Sequence, residues 1–334
     1  FITFTAIAAI VDTKNKIFDR NSIDFYSISE FILFFPQLIA GPILRLNELI
    51  PQLKNKCIFK KENIKFGLIL FSVGFVKKIF FADNIGIFID PIFENPEAFS
   101  NDIIFKSFVL FPLQIYFDFS GYVDMALGSA IMIGIELPIN FNKPYLTGSI
   151  TEFWRNWHIT LSRWFKDYIF IPLGGSKKNR LITNRNLIFT MSIAGLWHGA
   201  SLNFIIWGFL NGIILCIEKI LNKSFASSII RIWINCFIIF NLWIIFRISE
   251  FDNLINYFFL FYSGLSNAIN FENLILLLVV IFSIFLQKYD NFYYLQNFAK
   301  KINLIPAFFF FIVIVITGLA INTGQSEKFI YFQF

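Results

Sequence analysis

The chain of 334 residues is 57% hydrophobic and 20% aromatic, and only 15% of it is charged. A soluble domain is about one quarter charged, so the composition excludes an ordinary water-soluble enzyme and indicates an integral membrane protein. The net charge of +6 is no nucleic-acid footprint, because the basic residues fall in short loops between apolar runs, where topology signals belong.

In chain order, residues 1–11 read as the end of a helix, with further helices expected before it. The apolar run 31–50 is interrupted by Pro36, Gly41 and Pro42. Proline removes a donor and breaks a helix, so this run is predicted to be a broken or re-entrant segment buried in protein. Lys54, Lys56, Lys60, Lys61 and Lys65 then face the single Glu62, which marks an inside loop. Residues 66–82 are predicted to span the membrane with Lys77 and Lys78 aboard. Residues 83–102 hold acids and no base, which places them on the opposite side. The apolar stretch 103–135 contains Asp118, Ser120 and Asp124.

Residues 149–170 are predicted to form an amphipathic helix in the membrane interface. Ser149 or Thr151 would cap it, with Glu152 in its first turn. Phe153, Trp157, Leu161, Trp164, Phe165 and Tyr168 form its apolar stripe, and Arg155, Arg163 and Lys166 lie off that stripe. Basic loops follow at Lys177, Lys178, Arg180 and Arg185, and again at Lys219, Lys223 and Arg231. Both loops read as inside, so residues 187–218 must enter and return. A helix of that length covers about 48 Å at 1.5 Å per residue, against about 60 Å for two spans. The pair is therefore short, tilted or broken, with the break at Gly195–Ser201. Spans are expected near 232–247, 271–287 and 304–322, an amphipathic segment at 250–262, and another inside loop at Lys288, Lys300 and Lys301. The expected architecture is an all-α, polytopic membrane bundle with broken and interfacial helices, forming one domain over residues 1–334.

An ionisable side chain inside a membrane segment is costly, so each is a functional candidate. The chain has only two histidines, His158 on the interfacial segment and His198 at the predicted break. Imidazole suits proton transfer because its ordinary pKa is about 6.5. The competing reading of His198 is a packing residue bonded to a backbone carbonyl. Glycines around it and the donors of Trp197, Asn203 and Trp207 favour chemistry. Spacing alone does not bring His158 to His198. Asp118 and Asp124 are six residues apart and do not share a helical face; they either bond backbone at a broken helix or orient a histidine or an acceptor. Arg155 and Arg163 suit either cofactor phosphates or lipid headgroups. Cys57, Cys216 and Cys236 have no metal-ligand spacing and read as small apolar residues. No GxxxxGK[ST], GxSxG or zinc motif occurs in the sequence, which argues against a nucleotide-driven pump, a serine hydrolase and a zinc protease. The residues alone leave a membrane enzyme or a transporter.

Five stretches carry a resemblance: Phe34–Arg45 (FFPQLIAGPILR), Phe117–Gly128 (FDFSGYVDMALG), Asn140–Gly175, Gly195–Gly208 (GLWHGASLNFIIWG) and Phe329–Phe334 (FIYFQF). In this order they resemble the membrane-bound O-acyltransferase family, and within it the bacterial alginate and peptidoglycan O-acetyltransferases. The resemblance implies a multi-pass enzyme of the bacterial cytoplasmic (inner) membrane. Such an enzyme moves acetyl from cytoplasmic acetyl-CoA across the membrane to hydroxyls of an envelope polysaccharide, without a metal or nucleic acid. It implies a periplasmic or membrane-anchored partner that accepts the acetyl group, and contact with membrane lipid. It assigns the catalytic histidine to His198 and the second family histidine to His158; Trp197, Asn203, Asp118, Asp124 and Arg155, singled out from the residues above, are expected to support them. Asn156 and Val123 stand where the family commonly has arginine and serine. D-alanyl transfer to a cell-wall polymer on the same fold is the alternative chemistry. A transporter or flippase, and a truncated inactive remnant, are the alternatives from other classes.

Overall fold

The computed structural model describes residues 2–18, 24–38, 41–55, 59–177, 179–221, 228–268 and 270–321. Lys56, Cys57, Lys178, Lys223 and the stretch Phe329–Phe334, all singled out from the sequence, lie outside the described residues, as do Ile39 and Ala40 of the broken segment. Every regular element among the described residues is helical, as the long apolar runs require: in lipid, a helix satisfies its own backbone.

Helix α1 (Ile2–Lys14) is followed by α2 (Phe25–Leu33), a 3-10 turn at Phe35–Gln37 and α3 (Leu46–Lys54). The run 31–50 is thus broken as expected, with Pro36 in the 3-10 turn. Gln37 Nε2 donates to the carbonyl of Phe31 and so covers an acceptor that the break exposes. Helix α4 (Lys61–Phe75) does not stop at residue 82 as expected. It widens into a π-helical segment, Val76–Ala82, and continues as α5 (Asp83–Glu94). Helix α6 (Asn101–Met132) is continuous through Pro112, which corrects the reading of a broken helix around Asp118 and Asp124.

The expected interfacial helix is also in pieces: α7 (Ile150–Asn156), α8 (Ile159–Phe165) and a π-helical turn, Lys166–Phe170. The cause is Trp157. Its ring is buried among Phe153, Phe141 and Trp243, at centroid distances of 5.6, 5.0 and 4.8 Å. A straight helix would keep it at the interface; the break turns it into the core. Of the two expected caps, Ser149 acts, accepting a hydrogen bond from the Glu152 amide at 3.1 Å.

Helices α9 (Arg180–His198) and α10 (Leu202–Glu218) pack as a pair, with the break at Gly199–Ser201 inside the stretch where it was expected. Helices α11 (Ser228–Arg247), α12 (Phe251–Gly264), α13 (Phe271–Leu286), α14 (Phe292–Lys300) and α15 (Leu304–Ile321) complete the bundle. Of the described helices, α6, α11 and α15 are long and apolar enough to cross a membrane, while α10 and α13 are apolar but shorter. Cys216 and Cys236 are buried, matching their reading as small apolar residues.

Glycines set the closest helix contacts. A Cβ on Gly74 would strike the carbonyl of Gly121 and one on Gly121 the carbonyl of Gly74; Gly67 and Gly128 oppose each other in the same way. These contacts make α4 and α6 antiparallel at backbone distance, the arrangement that small residues permit in membranes. In the second pair, Gly195 meets the carbonyl of Phe204, and Gly208 meets that of Met191.

The basic loops gather at one end of the bundle. Gln52 bonds the Glu136 backbone just beyond α6, Cys216 contacts the Asn184 carbonyl, and Phe66 near the start of α4 packs on Phe292. The acid-rich segment lies at the other end, where Glu94, Glu97 and Asp102 meet Asn253, Asn256 and Asn270.

Gly121→Val tests the α4–α6 contact. Overpacking of this kind costs about 1–3 kcal/mol, so the detergent-solubilised variant should lose its monodisperse peak at a lower temperature than the parent in size-exclusion melting. Gly148→Ala, whose added Cβ would meet nothing nearer than 3.5 Å, should melt with the parent. Equal melting of all three would show that the contact is not tight.

Candidate active site

His198 ends α9 at the turn of the short helix pair. Ser201 caps α10, its hydroxyl accepting from the Asn203 amide at 3.3 Å, and also donates to the Ser249 carbonyl at 2.8 Å. Asn203 Nδ2 donates to the carbonyl of Ile248 at 2.6 Å, tying the turn to the chain beyond α11. The half-buried imidazole stands edge-on to Trp207 and Phe246, with centroids 5.5 and 4.9 Å away. Trp197 lies beside it at 4.7 Å and rests on Phe4. Aromatic walls thus fix the ring, and Asn203 acts on the turn's backbone rather than as a donor aimed at the imidazole.

His158 occupies the break between α7 and α8. Its φ of +44° lies in the left-handed region, a conformation costing roughly 1–3 kcal/mol for a non-glycine residue and found where function or packing enforces it. The side chain is buried, edge-on to Phe119 at 4.7 Å. Its Nδ1 lies 3.3 Å from Oδ1 of Asn140. Trp157, next to His158, packs on Trp243 at 4.8 Å, Trp243 on Phe246 at 5.6 Å, and Phe246 on His198 at 4.9 Å, so one chain of aromatic rings joins the two histidine turns. The fold therefore brings together two residues that the sequence separates by 40 positions.

A cavity of about 420 Å³ leads to His198. Leu187, Thr190, Met191, Ala194 and His198 line it from α9, a stripe at three- and four-residue steps. From Leu187 to His198 the stripe runs about 16 Å at 1.5 Å per residue. Thr151 and Leu215 line its far part, next to the basic loops; there the Thr151 hydroxyl and amide both donate to Glu218 of α10. Arg155, Arg163 and Lys166 add three cations to a lining otherwise mostly apolar. Arg155 and Lys166 are exposed, whereas Arg163 is ion-paired with Glu48 at 2.7 Å. Ile159 and Leu161 also line the cavity, so His158 flanks its wall.

Asp118 and Asp124 face lysines of the π-helical segment. Lys77 lies 2.6 Å from Asp124 and 2.5 Å from Asp290, and Lys78 lies 2.5 Å from Asp118 and 2.6 Å from Asp83. Tyr116 donates to Asp290 at 2.8 Å and offers its ring face to Lys77. A second cavity, of about 10 Å³, is lined by Lys77, Tyr116, Ser120, Asp124, Asn140 and Asp290 among others, and adjoins the residue that holds His158. Outside the spans, Arg45 pairs with Asp167, and the phenol of Tyr168 donates to Asp12 at 2.7 Å. Burial and that bond push the Tyr168 phenol well above its ordinary value.

Sequence reasoning missed Asn140, Thr160 and Asp290. Asn140 lies in the quoted Asn140–Gly175 stretch, and a buried amide next to an apolar run was the available signal. Asp290 had none, since it sits beyond α13 and meets Lys77 only through the fold.

Removing one partner from a buried ion pair costs about 3–5 kcal/mol, because a carboxylate is left unmatched in low dielectric. Lys77→Met should therefore sharply lower the thermal stability of the solubilised protein. Lys300→Met, at the exposed end of α14, should leave it unchanged. Parent-like melting of Lys77→Met would show that the pair does not hold α4 to α6.

Residues 13–263 match the sequence model of the membrane-bound O-acyltransferase family. The chain is 43% identical over 243 residues to the peptidoglycan O-acetyltransferase of Helicobacter pylori, covering 69% of this chain and 46% of that protein. It is 41% identical over 257 residues to the probable alginate O-acetylase AlgI of Azotobacter vinelandii, covering 75% and 50% respectively. The teichoic acid D-alanyltransferase of Bacillus subtilis is 28% identical over 235 residues, 67% of this chain and 58% of that protein. The chain spans about half the length of the curated relatives it matches.

Proposed function

The chain belongs to the membrane-bound O-acyltransferase family, and we propose that it acts in a His198-dependent transfer of acetyl from acetyl-CoA to a hydroxyl of an envelope polysaccharide. The observation that carries this reading is the cavity along α9, which begins near the basic loops, runs past Arg155, Arg163 and Lys166, and ends on His198. The cations in its lining suit the phosphates of a coenzyme A thioester, and the apolar stripe suits the arm that bears the acyl group.

In the proposed reaction a ring nitrogen of His198 takes the proton from the acceptor hydroxyl while its oxygen attacks the thioester carbonyl carbon. The tetrahedral intermediate collapses, the carbon–sulfur bond breaks, and the departing thiolate takes the proton back from the imidazolium. His158 assists from the flank by orienting a reacting group or stabilising the developing oxyanion. Trp197 and Asn203 hold the His198 turn, and Arg155 serves the donor. Asp118 and Asp124 act at a distance, through the lysines that fix α6 against the π-helical segment. The acceptor lies on the other side of a bacterial inner membrane that this protein crosses several times, and an extracytoplasmic partner receives the acetyl group or presents the polymer. The greater identity to acetyltransferases than to the D-alanyltransferase, 41–43% against 28%, supports acetyl over D-alanyl.

The decisive test is complementation of envelope-polymer acetylation by the full-length gene and by its His198→Gln form at equal membrane abundance. A lost general base removes roughly 10²–10⁴-fold in rate, so His198→Gln should leave no acetate esters above background. Retained acetylation would sink the assignment and favour a transporter that needs no such base. Arg155→Ala and Lys166→Ala should each raise KM for acetyl-CoA, at most about fivefold for a screened, exposed cation, with kcat nearly unchanged. A fall in kcat alone would remove them from donor binding.

A further inference from the structure

We infer that Asn140 is the positioning residue for His158 and fixes its ring as the Nδ1-protonated tautomer. The inference rests on the reading of His158 as a working member of the site, and its geometry is independent of which acyl group moves.

Asn140 is almost fully buried, with 1% of its surface exposed. An asparagine amide can point either way, and its neighbours decide. Here the Thr160 backbone amide points at one atom of that side chain from 3.0 Å. A backbone N–H can only donate, so that atom is the oxygen. The Thr160 hydroxyl lies 2.9 Å from the same atom. That hydroxyl already accepts from the backbone amide of Ile43 at 3.0 Å, so its own hydrogen is directed to Asn140. Turning the amide over would set its NH₂ against the Thr160 N–H. The orientation is therefore fixed by two donors on α8, one of them tied to the broken segment before α3.

His158 Nδ1 faces this same oxygen from 3.3 Å. The two Thr160 donors lie closer to that oxygen, so the His158 contact is the longest of three shared ones, but a bare Nδ1 would set lone pair against lone pair; the proton of the neutral ring therefore sits on Nδ1 and the lone pair on Nε2. The backbone adds a second tie: the Asn140 carbonyl accepts from the Ile159 amide at 3.0 Å, immediately after the left-handed His158. Asn140 thus holds the strained residue on both sides, by its side chain at Nδ1 and by its carbonyl at the next amide. Asn140 Nδ2 has no hydrogen-bond partner among the described residues. The residue lines the small cavity together with Ser120 and the Lys77–Asp124–Asp290 cluster. The conformation of His158 is in this way referred to the ion pairs that hold α4 against α6.

The tautomer can be read directly by ¹⁵N NMR of the full-length protein labelled at histidine, in lipid nanodiscs, with the His158 ring assigned by its disappearance in His158→Gln. The expected spectrum has a protonated Nδ1 and a bare Nε2. In Asn140→Ala the ring should shift to the Nε2-protonated form or to a mixture, and kcat should fall by about 10–100-fold, the range for groups that orient a histidine, with KM unchanged. Asn140→Asp keeps an acceptor facing Nδ1 and should keep the Nδ1 proton. An Nε2-protonated ring in the parent protein overturns the inference, and that result does not depend on whether Asn140→Ala folds. So does an Asn140→Ala spectrum identical to the parent's. If acetyl transfer proves to be the wrong reaction, the spectrum still reports the tautomer.

Discussion

Two lysines sit within the bundle, Lys77 buried and Lys78 half-buried, and carboxylates from three other elements reach them. Lysine at the centre of a membrane helix costs about 2.5–3.5 kcal/mol on insertion scales, and Lys77 is 7% exposed. Asp124 and Asp290 meet Lys77, while Asp118 and Asp83 meet Lys78. Adjacent residues on a regular helix point about 100° apart. The π-helical widening at Val76–Ala82 changes that angle locally, and α6 offers its two acids six residues apart. The pairs and the facing glycines act on the same crossing: the glycines set its distance, and the charges set its register.

From that crossing the site is suspended. Asn140 follows α6 by a short extended stretch and lines the cavity that contains Lys77 and Asp124. It also holds His158 and Thr160, and through Thr160 the amide of Ile43. The other half of the site stands on the glycine contacts of α9 and α10, which bring His198 back beside Trp207 and Phe246. One histidine is positioned by polar contacts and backbone strain, the other by aromatic walls. Each occurs where a helix is interrupted, His158 between α7 and α8 and His198 at the end of α9.

Much of this was legible in the sequence. The apolar runs located α6, α11, α13 and α15, the prolines located the break before α3, and the glycines around His198 located the turn between α9 and α10. What failed did so for a common reason. The periodicity of residues 149–170 is that of a straight amphipathic helix, and nothing local says that Trp157 has a core to enter. Asp118 and Asp124 suggested a broken helix because their partners lie 40 and 47 residues earlier, at Lys78 and Lys77. The histidines themselves were visible by scarcity, whereas Asn140 was not, since an asparagine's importance lies in what it faces.

The order in which the ion pairs can form has a consequence for biogenesis. Lys77 and Lys78 are synthesised before any residue of α6, and Asp290 is 213 positions later than Lys77. At 5–20 residues per second, roughly 10–40 s separate the first lysine from its second carboxylate. Through that interval Lys77 has Asp124 of α6 to meet, and Lys78 has Asp83 of α5 and Asp118 of α6. The contacts of Lys77 and Lys78 with α6 can thus form first, and Asp290 joins a crossing that is already made.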